Sequence, residues 1–185
     1  MQYIWLLLSV VLVGIDRLTK WAIVSNMQLH DKINLLQIGD TEVLNIYYCT
    51  NNGAAFSSMS GKTTLLIVLT SAVLFGLLVM MIMKKVKRPV NMAAFSLIIG
   101  GGLGNLIDRI FNEGRVVDFI DVRLINFPIF NFADICAVVG AVMLFISLLV
   151  EEIGEHRRKK QAGASAEITD SAESSSEASD SNGEN

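Results

Sequence analysis

Seven side chains of this 185-residue chain stand where their chemistry is expensive: Asp16, Lys20, Asn105, Asp108, Asp118, Asn131 and Asp134 lie inside or at the edge of strongly apolar stretches. Ionisable groups at membrane depth usually face a bundle interior or a wet cavity, so each is a candidate for function. Asp16 and Lys20 are four apart on one helix face and can pair. A structural pair near the outer helix end, with Lys20 snorkelling, and a part in a site are both open. Asn105 and Asp108 share a face with Gly101, and Gly104 shares one with Asp108. Small residues let a neighbouring backbone come close, and an amide and an acid stacked beside them would line a cavity; capping or solvation at the helix end is the alternative. Arg109, four after Asn105, can pair with an acid or hold a carbonyl. Asp118 lies between Val117 and Phe119, a shielded setting. Asp121 projects from the opposite face of an extended strand and reads as a loop acid in water. Asn131 is a good N-cap, and Asp134 three residues on complements the helix dipole. Capping is compatible with an acid aimed at a site.

Positioning these groups falls to a membrane bundle. The chain is 52% hydrophobic and only 18% charged, below the roughly 25% charged residues of a soluble domain. Four apolar blocks are expected as transmembrane helices at 3–24, 63–83, 89–107 and 129–150, since a hydrocarbon core of ~30 Å takes about 20 helical residues. The first block lacks a basic leader and a small-residue cleavage pattern, so it reads as a retained span rather than a signal peptide. Lys84, Lys85, Lys87 and Arg88 follow the second block, and Arg157, Arg158, Lys159 and Lys160 follow the fourth. Four crossings put both clusters on one side, which the positive-inside rule makes cytoplasmic, with both termini. The outer connection 25–62 then carries a hairpin, strands 33–38 and 43–48 around a three- to four-residue turn at Gly39-Asp40-Thr41. A further extended piece, 116–122, completes a small sheet on the outer surface. Residues 162–185 hold six acids, no base and seven serines, and the tail from 161 is expected to be a disordered, cytoplasmic segment.

The formal charge of −3 averages this acidic tail with a basic body. No basic stripe marks a nucleic-acid face. Two histidines and two distant cysteines give no metal-ligand spacing, and free thiols are the expectation for Cys49 and Cys136. Ser60-Gly61-Lys62-Thr63 resembles the end of a Walker A loop, but Phe56 stands where its first glycine belongs. H-E-x-x-H and G-x-S-x-G are both absent from the sequence. Gly102-Leu103-Gly104-Asn105 carries an amide where presenilin-type G-x-G-D proteases carry an acid.

Five motifs in order resemble those of the bacterial lipoprotein signal peptidases, signal peptidase II. Asp16-Arg17-Leu18-Thr19-Lys20 is similar to D-x-x-T-K, and Asn51-Asn52-Gly53-Ala54-Ala55-Phe56 to N-x-G-A-A-F. Gly101 to Arg109 is similar to G-x-x-G-N-x-x-D-R, Val116 to Phe119 to V-V-D-F, and Phe130 to Asp134 to F-N-x-A-D. The resemblance covers about residues 10–150. It implies a mainly α integral membrane protein of four transmembrane helices with an extracytoplasmic β-cradle. It implies an aspartic endopeptidase that removes signal peptides from diacylglyceryl-modified prolipoproteins, cutting just before the lipidated cysteine, with no metal or other cofactor. The catalytic pair falls on Asp118 and Asp134. Asn51, Gly53, Gly104, Asn105, Asp108, Arg109, Asn131 and Ala133 fall on substrate-holding or pocket positions, and Asp16 and Lys20 on supporting ones. The expected setting is the bacterial cell membrane, with lipid and prolipoprotein as partners and a monomeric chain.

Amide hydrolysis needs an activated water and a donor to the carbonyl oxygen. Two neighbouring carboxylates share a proton and supply both. The rivals are a small transporter, for which Asp16, Lys20 and Asp108 would form an ion path, and a purely structural membrane subunit. The transporter predicts flux without cleavage, and the subunit predicts tolerance of changes at both aspartates.

Overall fold

The computed structural model describes residues 2–52, 63–125 and 127–180, with side chains from 3 to 157. Along the chain come α1 (Gln2–Asn26), β1 (Lys32–Ile38), β2 (Thr41–Asn51), α2 (Thr63–Ile82), α3 (Pro89–Phe111), β3 (Val116–Val122), a 3-10 turn (Arg123–Ile125) and α4 (Phe132–Asp180). They fall into two units, 1–144 and 145–185. The second unit holds the continuation of α4.

In the first unit α3 is the helix on which the others pack. Pro89 opens it at the first turn, where a missing N–H is harmless. Gly114, in the left-handed region at φ 84°, follows its end, and its N–H bonds the Arg109 carbonyl at 3.0 Å. Between those ends, successive residues point about 100° apart, so the run Gly100-Gly101-Gly102 opens three directions at once. A Cβ on Gly100 would lie 2.8 Å from Leu12 Cβ of α1, and one on Gly102 2.6 Å from Leu74 Cδ2 of α2. A Cβ on Gly101 would run into the Ala133 carbonyl oxygen of α4. Gly140 answers from α4, where a Cβ would come 2.7 Å from the Ala94 carbonyl oxygen. Close helix approach in lipid is gained in this way. Met81, Val86, Phe95 and Ile99 fill the core beside them, flanked by Trp5, Leu6 and Leu77.

Three helical stretches are long and apolar enough to cross a membrane: Thr63–Ile82, Pro89–Phe111 and Phe132–Arg157. Of their apolar windows, 44% of α3 is buried but only 11% of α2, so α2 turns most of its apolar surface outward, as a lipid-facing helix does. Three of the four expected spans are thus seen among the described residues. α1 has the length, 25 residues, but carries Asp16, Arg17 and Lys20 within it. α4 starts at Phe132 rather than 129, because Pro128 and the capping residue Asn131 precede it. The tail expected to be disordered instead continues α4 to Asp180. An apolar span has already nucleated the helix, so its continuation needs no new nucleus.

The sheet has the order β1-β2-β3, antiparallel throughout. Ile38 pairs with Thr41, which leaves a two-residue turn, Gly39-Asp40, in place of the longer one expected. Gly39 supplies the left-handed φ of 59° the tight turn needs, and β-branched Thr41 joins the strand. β1 is exposed along its whole length, whereas β3 is almost wholly buried and is the strand packed against α1 and α3. The other edge of β3 bonds Phe130: Ile120 N–H donates to the Phe130 carbonyl at 2.8 Å, and Phe130 N–H returns to Ile120 at 3.1 Å. That bridge delivers the start of α4 to the middle of β3.

Candidate active site

α1 and α3 share a four-charge cluster. Lys20 Nζ lies 3.1 Å from Asp16 Oδ2 and 2.8 Å from Asp108 Oδ2. Arg17 forks across the same two acids, Nη1 to Asp108 Oδ1 at 2.7 Å and Nη2 to Asp16 Oδ2 at 2.8 Å. Its Nη2 also donates to the Gly104 carbonyl at 3.1 Å. Gly104 makes room: a Cβ there would sit 2.6 Å from Asp16 Oδ2 and 3.1 Å from Ala133 Cβ. Asp16, Lys20 and Asp108 are all buried, so Lys20 does not snorkel to the interface. Two carboxylates at hydrogen-bond distance hold its ammonium inward more firmly than partial hydration would.

Two amides connect this cluster to a pair of carboxyl groups. Lys20 Nζ donates to Asn105 Oδ1 at 2.9 Å, which fixes the opposite end of that amide as donor, and Asn105 Nδ2 reaches Asp134 Oδ1 at 2.7 Å. Asn131 Nδ2 donates to Asp118 Oδ1 at 2.7 Å, with Asn105 Oδ1 at 3.0 Å and the Val117 carbonyl at 3.2 Å also in reach. Asn131 and Asp134 cap α4 reciprocally: Asp134 N–H donates to Asn131 Oδ1 at 3.0 Å, and Asn131 N–H to Asp134 Oδ2 at 3.1 Å. The capping reading and the site reading of these residues therefore hold together. Asn51, at the end of β2, donates to the other oxygen of Asp118 at 3.0 Å.

Asp118 is 2% exposed. Burial pushes its carboxyl up to about 6, and the negative charge of Asp134 pushes the same way against the donors Asn51 and Asn131 and the Lys20 charge. Asp118 and Asp134 are thus near enough to feel each other, both bonded to Asn131, and Asp118 still carries a proton in a fraction of molecules near neutral pH. Such a pair can take a proton from water with one group and donate one with the other.

The expected site residues mostly converge here. Asp16, Lys20, Asn51, Gly104, Asn105, Asp108, Asn131, Ala133, Asp118 and Asp134 form one connected network. Asp108 Oδ2 additionally accepts from Val117 N–H at 3.2 Å, so it ties down the strand that carries Asp118. Ala133 is fully buried and packs beside Gly101 and Gly104. Arg109 extends along α3; among the described residues its Nη1 reaches the Asn105 carbonyl at 3.4 Å and its buried Nε has no partner. Gly53, with Ala54, Ala55 and Phe56, lies outside the described residues. Asp121 is not a solvated loop acid. It is 3% exposed, accepts from Arg123 Nε at 2.7 Å and stands cross-strand from Asn45, whose Nδ2 is 3.4 Å away. Burial by the sheet, a tertiary effect, overrides the local pattern. Cys49 pairs cross-strand with Asp118. Its thiol is pushed up to about 11 by burial and by the charges of Asp118 and Asp121, and both cysteines are free.

Arg17, at an unspecified position of D-x-x-T-K, is a member of the cluster that the motif does not point to. The signal was available: a third ionisable side chain at the depth of Asp16 and Lys20 carries the same burial cost and needs a partner for the same reason. Among the described residues no group of three or more His, Cys, Asp or Glu is arranged to hold a metal ion.

A family model described as Signal peptidase (SPase) II matches residues 8–150. A lipoprotein signal peptidase of Halalkalibacterium halodurans is 36% identical over 163 residues, covering 87% of this chain and 99% of its own length. One from Lactococcus lactis subsp. lactis is 43% identical over 152 residues, covering 78% and 94%. Among solved structures, a bacterial membrane enzyme determined by the in meso method superposes with a TM-score of 0.70 at 35% identity, over 80% of this chain and 88% of that one. With the family pattern matched over most of its length, the chain belongs to the signal peptidase II family of peptidases.

Proposed function

We propose that this chain is an aspartic endopeptidase that removes the signal peptide from diacylglyceryl-modified prolipoproteins, cutting on the N-terminal side of the lipidated cysteine, with Asp118 and Asp134 as its catalytic pair. The observation that carries this reading is the joint hold of Asn131 on both carboxyl groups, together with the upward push on Asp118. A water between the carboxyls gives a proton to the ionised one as it attacks the scissile carbonyl. The protonated partner donates to the carbonyl oxygen. As the tetrahedral gem-diol collapses, one of its hydroxyls returns a proton to the ionised carboxylate while the protonated one gives its proton to the departing amine, so the pair again holds one proton. The two groups titrate as a unit, and no metal, nucleotide or covalent enzyme intermediate enters these steps.

In this reading α1 is a fourth span. The pairing of Asp16 and Asp108 with Arg17 and Lys20 supports it, since the charges offset one another inside the bundle. The same pairing argues against an open ion path. The enzyme is a monomer in the bacterial cell membrane with both termini in the cytoplasm and the sheet and aspartates on the outer side. A lipidated substrate, its signal helix in the bilayer, reaches the site laterally between helices. Asn51, Gly53, Asn105, Arg109 and Asn131 hold substrate or shape the pocket.

Purified protein incubated with a diacylglyceryl-modified prolipoprotein and with its unlipidated counterpart is expected to cut only the former. Asp118→Asn and Asp134→Asn are each expected to abolish cleavage while still inserting in the membrane. Near-normal processing by either variant would remove the pair from the mechanism.

A further inference from the structure

We propose that Arg17 is a positioning residue for this reaction: by gripping Asp108 it holds strand β3 against the helices and so sets where the Asp118 carboxyl points. The inference rests on the catalytic reading of Asp118 given above. Its geometry is a relay with no side chain to spare. The Arg17 guanidinium takes Asp108 Oδ1 at 2.7 Å, and this leaves Oδ2 for Lys20 Nζ at 2.8 Å and for the backbone N–H of Val117 at 3.2 Å. Val117 is the residue next to Asp118, and its carbonyl in turn lies 3.2 Å from Asn131 Nδ2. Both backbone groups of Val117 therefore point at site residues, one at the acid that Arg17 fixes and one at the amide that orients Asp118.

Lys20 cannot replace this grip. Its ammonium is already divided among Asp16, Asp108 and Asn105. Without Arg17, Asp108 keeps one cation for two oxygens and is free to rotate about its terminal torsion, releasing Val117 N–H. Arg17 also ties the acid to the α3 backbone through the Gly104 carbonyl, so the fork braces Asp108 against its own helix as well as against α1. A planar two-pronged donor is required for that, and a lysine supplies only a point charge.

The test uses the full chain in detergent micelles as wild type, Arg17→Gln, Arg17→Lys and Asp118→Asn. Two readouts are taken: kcat and KM on a diacylglyceryl-modified prolipoprotein, and backbone amide exchange across 116–122 against 41–46. Arg17→Gln is expected to lower kcat by about 10- to 100-fold with KM little changed, as displacement of a reacting group does. Exchange at 116–118 should accelerate while 41–46 stays protected, and Arg17→Lys should recover part of both. An Arg17→Gln enzyme with kcat within about twofold of wild type and unaltered exchange overturns the proposal. So does acceleration spread evenly over both segments, which would make Arg17 a general stabiliser. If Asp118→Asn stays active, the catalytic reading is the one that fails, and the exchange measurement still reports whether Arg17 holds β3.

Discussion

Asn131 donates to the Asp118 carboxyl, accepts from the Asp134 N–H and gives its own N–H to the Asp134 carboxyl, so one residue orients both acids and starts α4. Asn131→Ala is expected to cost ~1 kcal/mol as a lost cap and far more in activity, since kcat should fall while Tm moves only a few degrees. The proton on the pair gives two pH expectations. Asp118 sits at about 6, above its ordinary 3.8, so the folded state binds this proton more tightly than the unfolded chain. The stabilising contribution of that proton is complete below about 3.8 and is lost as pH rises through about 6. Asp118→Asn removes the titration, so its Tm relative to wild type should climb between those values, by up to roughly 3 kcal/mol in stability. A difference in Tm that stays flat with pH would mean Asp118 is not the titrating group. Asn51 donates to the ionised carboxylate and opposes the upward push, so Asn51→Ala should carry the alkaline limb of kcat/KM up by about one pH unit. A downward move would show that another group sets that limb. The acids of the proposed pair were legible from the sequence because short motifs surround them. The burial of Asp121 was not, because a neighbouring strand supplies it; for Arg17 the charge within an apolar block was visible, but its partner is an acid 91 residues away, which no local pattern gives.

The helices and strands differ in how much of themselves the sequence exposes. Hydropathy marks α2 and α3 within a few residues because lipid demands length and apolarity at once. The hairpin and β3 follow from β-branched runs with a glycine between them. The turn length and the continuation of α4 escaped, since each depends on where a neighbouring hydrogen-bond ladder happens to stop. The glycines of α3 were read as packing residues, and only the fold tells which neighbour each one meets. The neighbours give different costs for the same change. At Gly101 a methyl meets the Ala133 carbonyl oxygen and, at 2.9 Å, the Ala137 nitrogen, backbone atoms that shift only if α4 moves. At Gly102 it meets the end of the Leu74 side chain, which can rotate away. Gly101→Ala should therefore destabilise by ~1–3 kcal/mol, as overpacking does, and pull Asp134 off the site, while Gly102→Ala should stay under ~1 kcal/mol with activity kept. Thermal unfolding of both variants in micelles, paired with cleavage rates, checks the order. Equal losses would mean that α3 and α4 do not meet through Gly101.

For the whole molecule, the placement of α1, a helix with three charges, decides the number of crossings. Of four spans expected, α1 is the one not seen as long and apolar enough among the described residues, yet it packs on α3 and contributes Asp16, Arg17 and Lys20, three of the four charges of a cluster in which two cations meet two carboxylates. Its other side is lipid-like, with Tyr3, Ile4, Leu7, Val10, Leu18 and Trp21 exposed. The ionic groups are inside and the apolar groups outside, the inverse of a helix lying in water and the arrangement a spanning helix in a bundle needs. Crossing by α1 has a consequence for sidedness that a surface-lying α1 does not share. If it crosses, Tyr3 and the basic loop at Lys87 lie on one side and the hairpin tip at Asp40 on the other, with the cytoplasm holding the lysines. Single cysteines at Tyr3, Asp40 and Lys87, in a chain with Cys49 and Cys136 changed to serine, allow this to be read in intact cells with a membrane-impermeant maleimide. All three positions are exposed, so reactivity reports the side rather than burial. Asp40→Cys should label from outside, and Tyr3→Cys and Lys87→Cys only after the membrane is opened. Labelling of Tyr3→Cys together with Asp40→Cys would put α1 on the surface and leave three crossings.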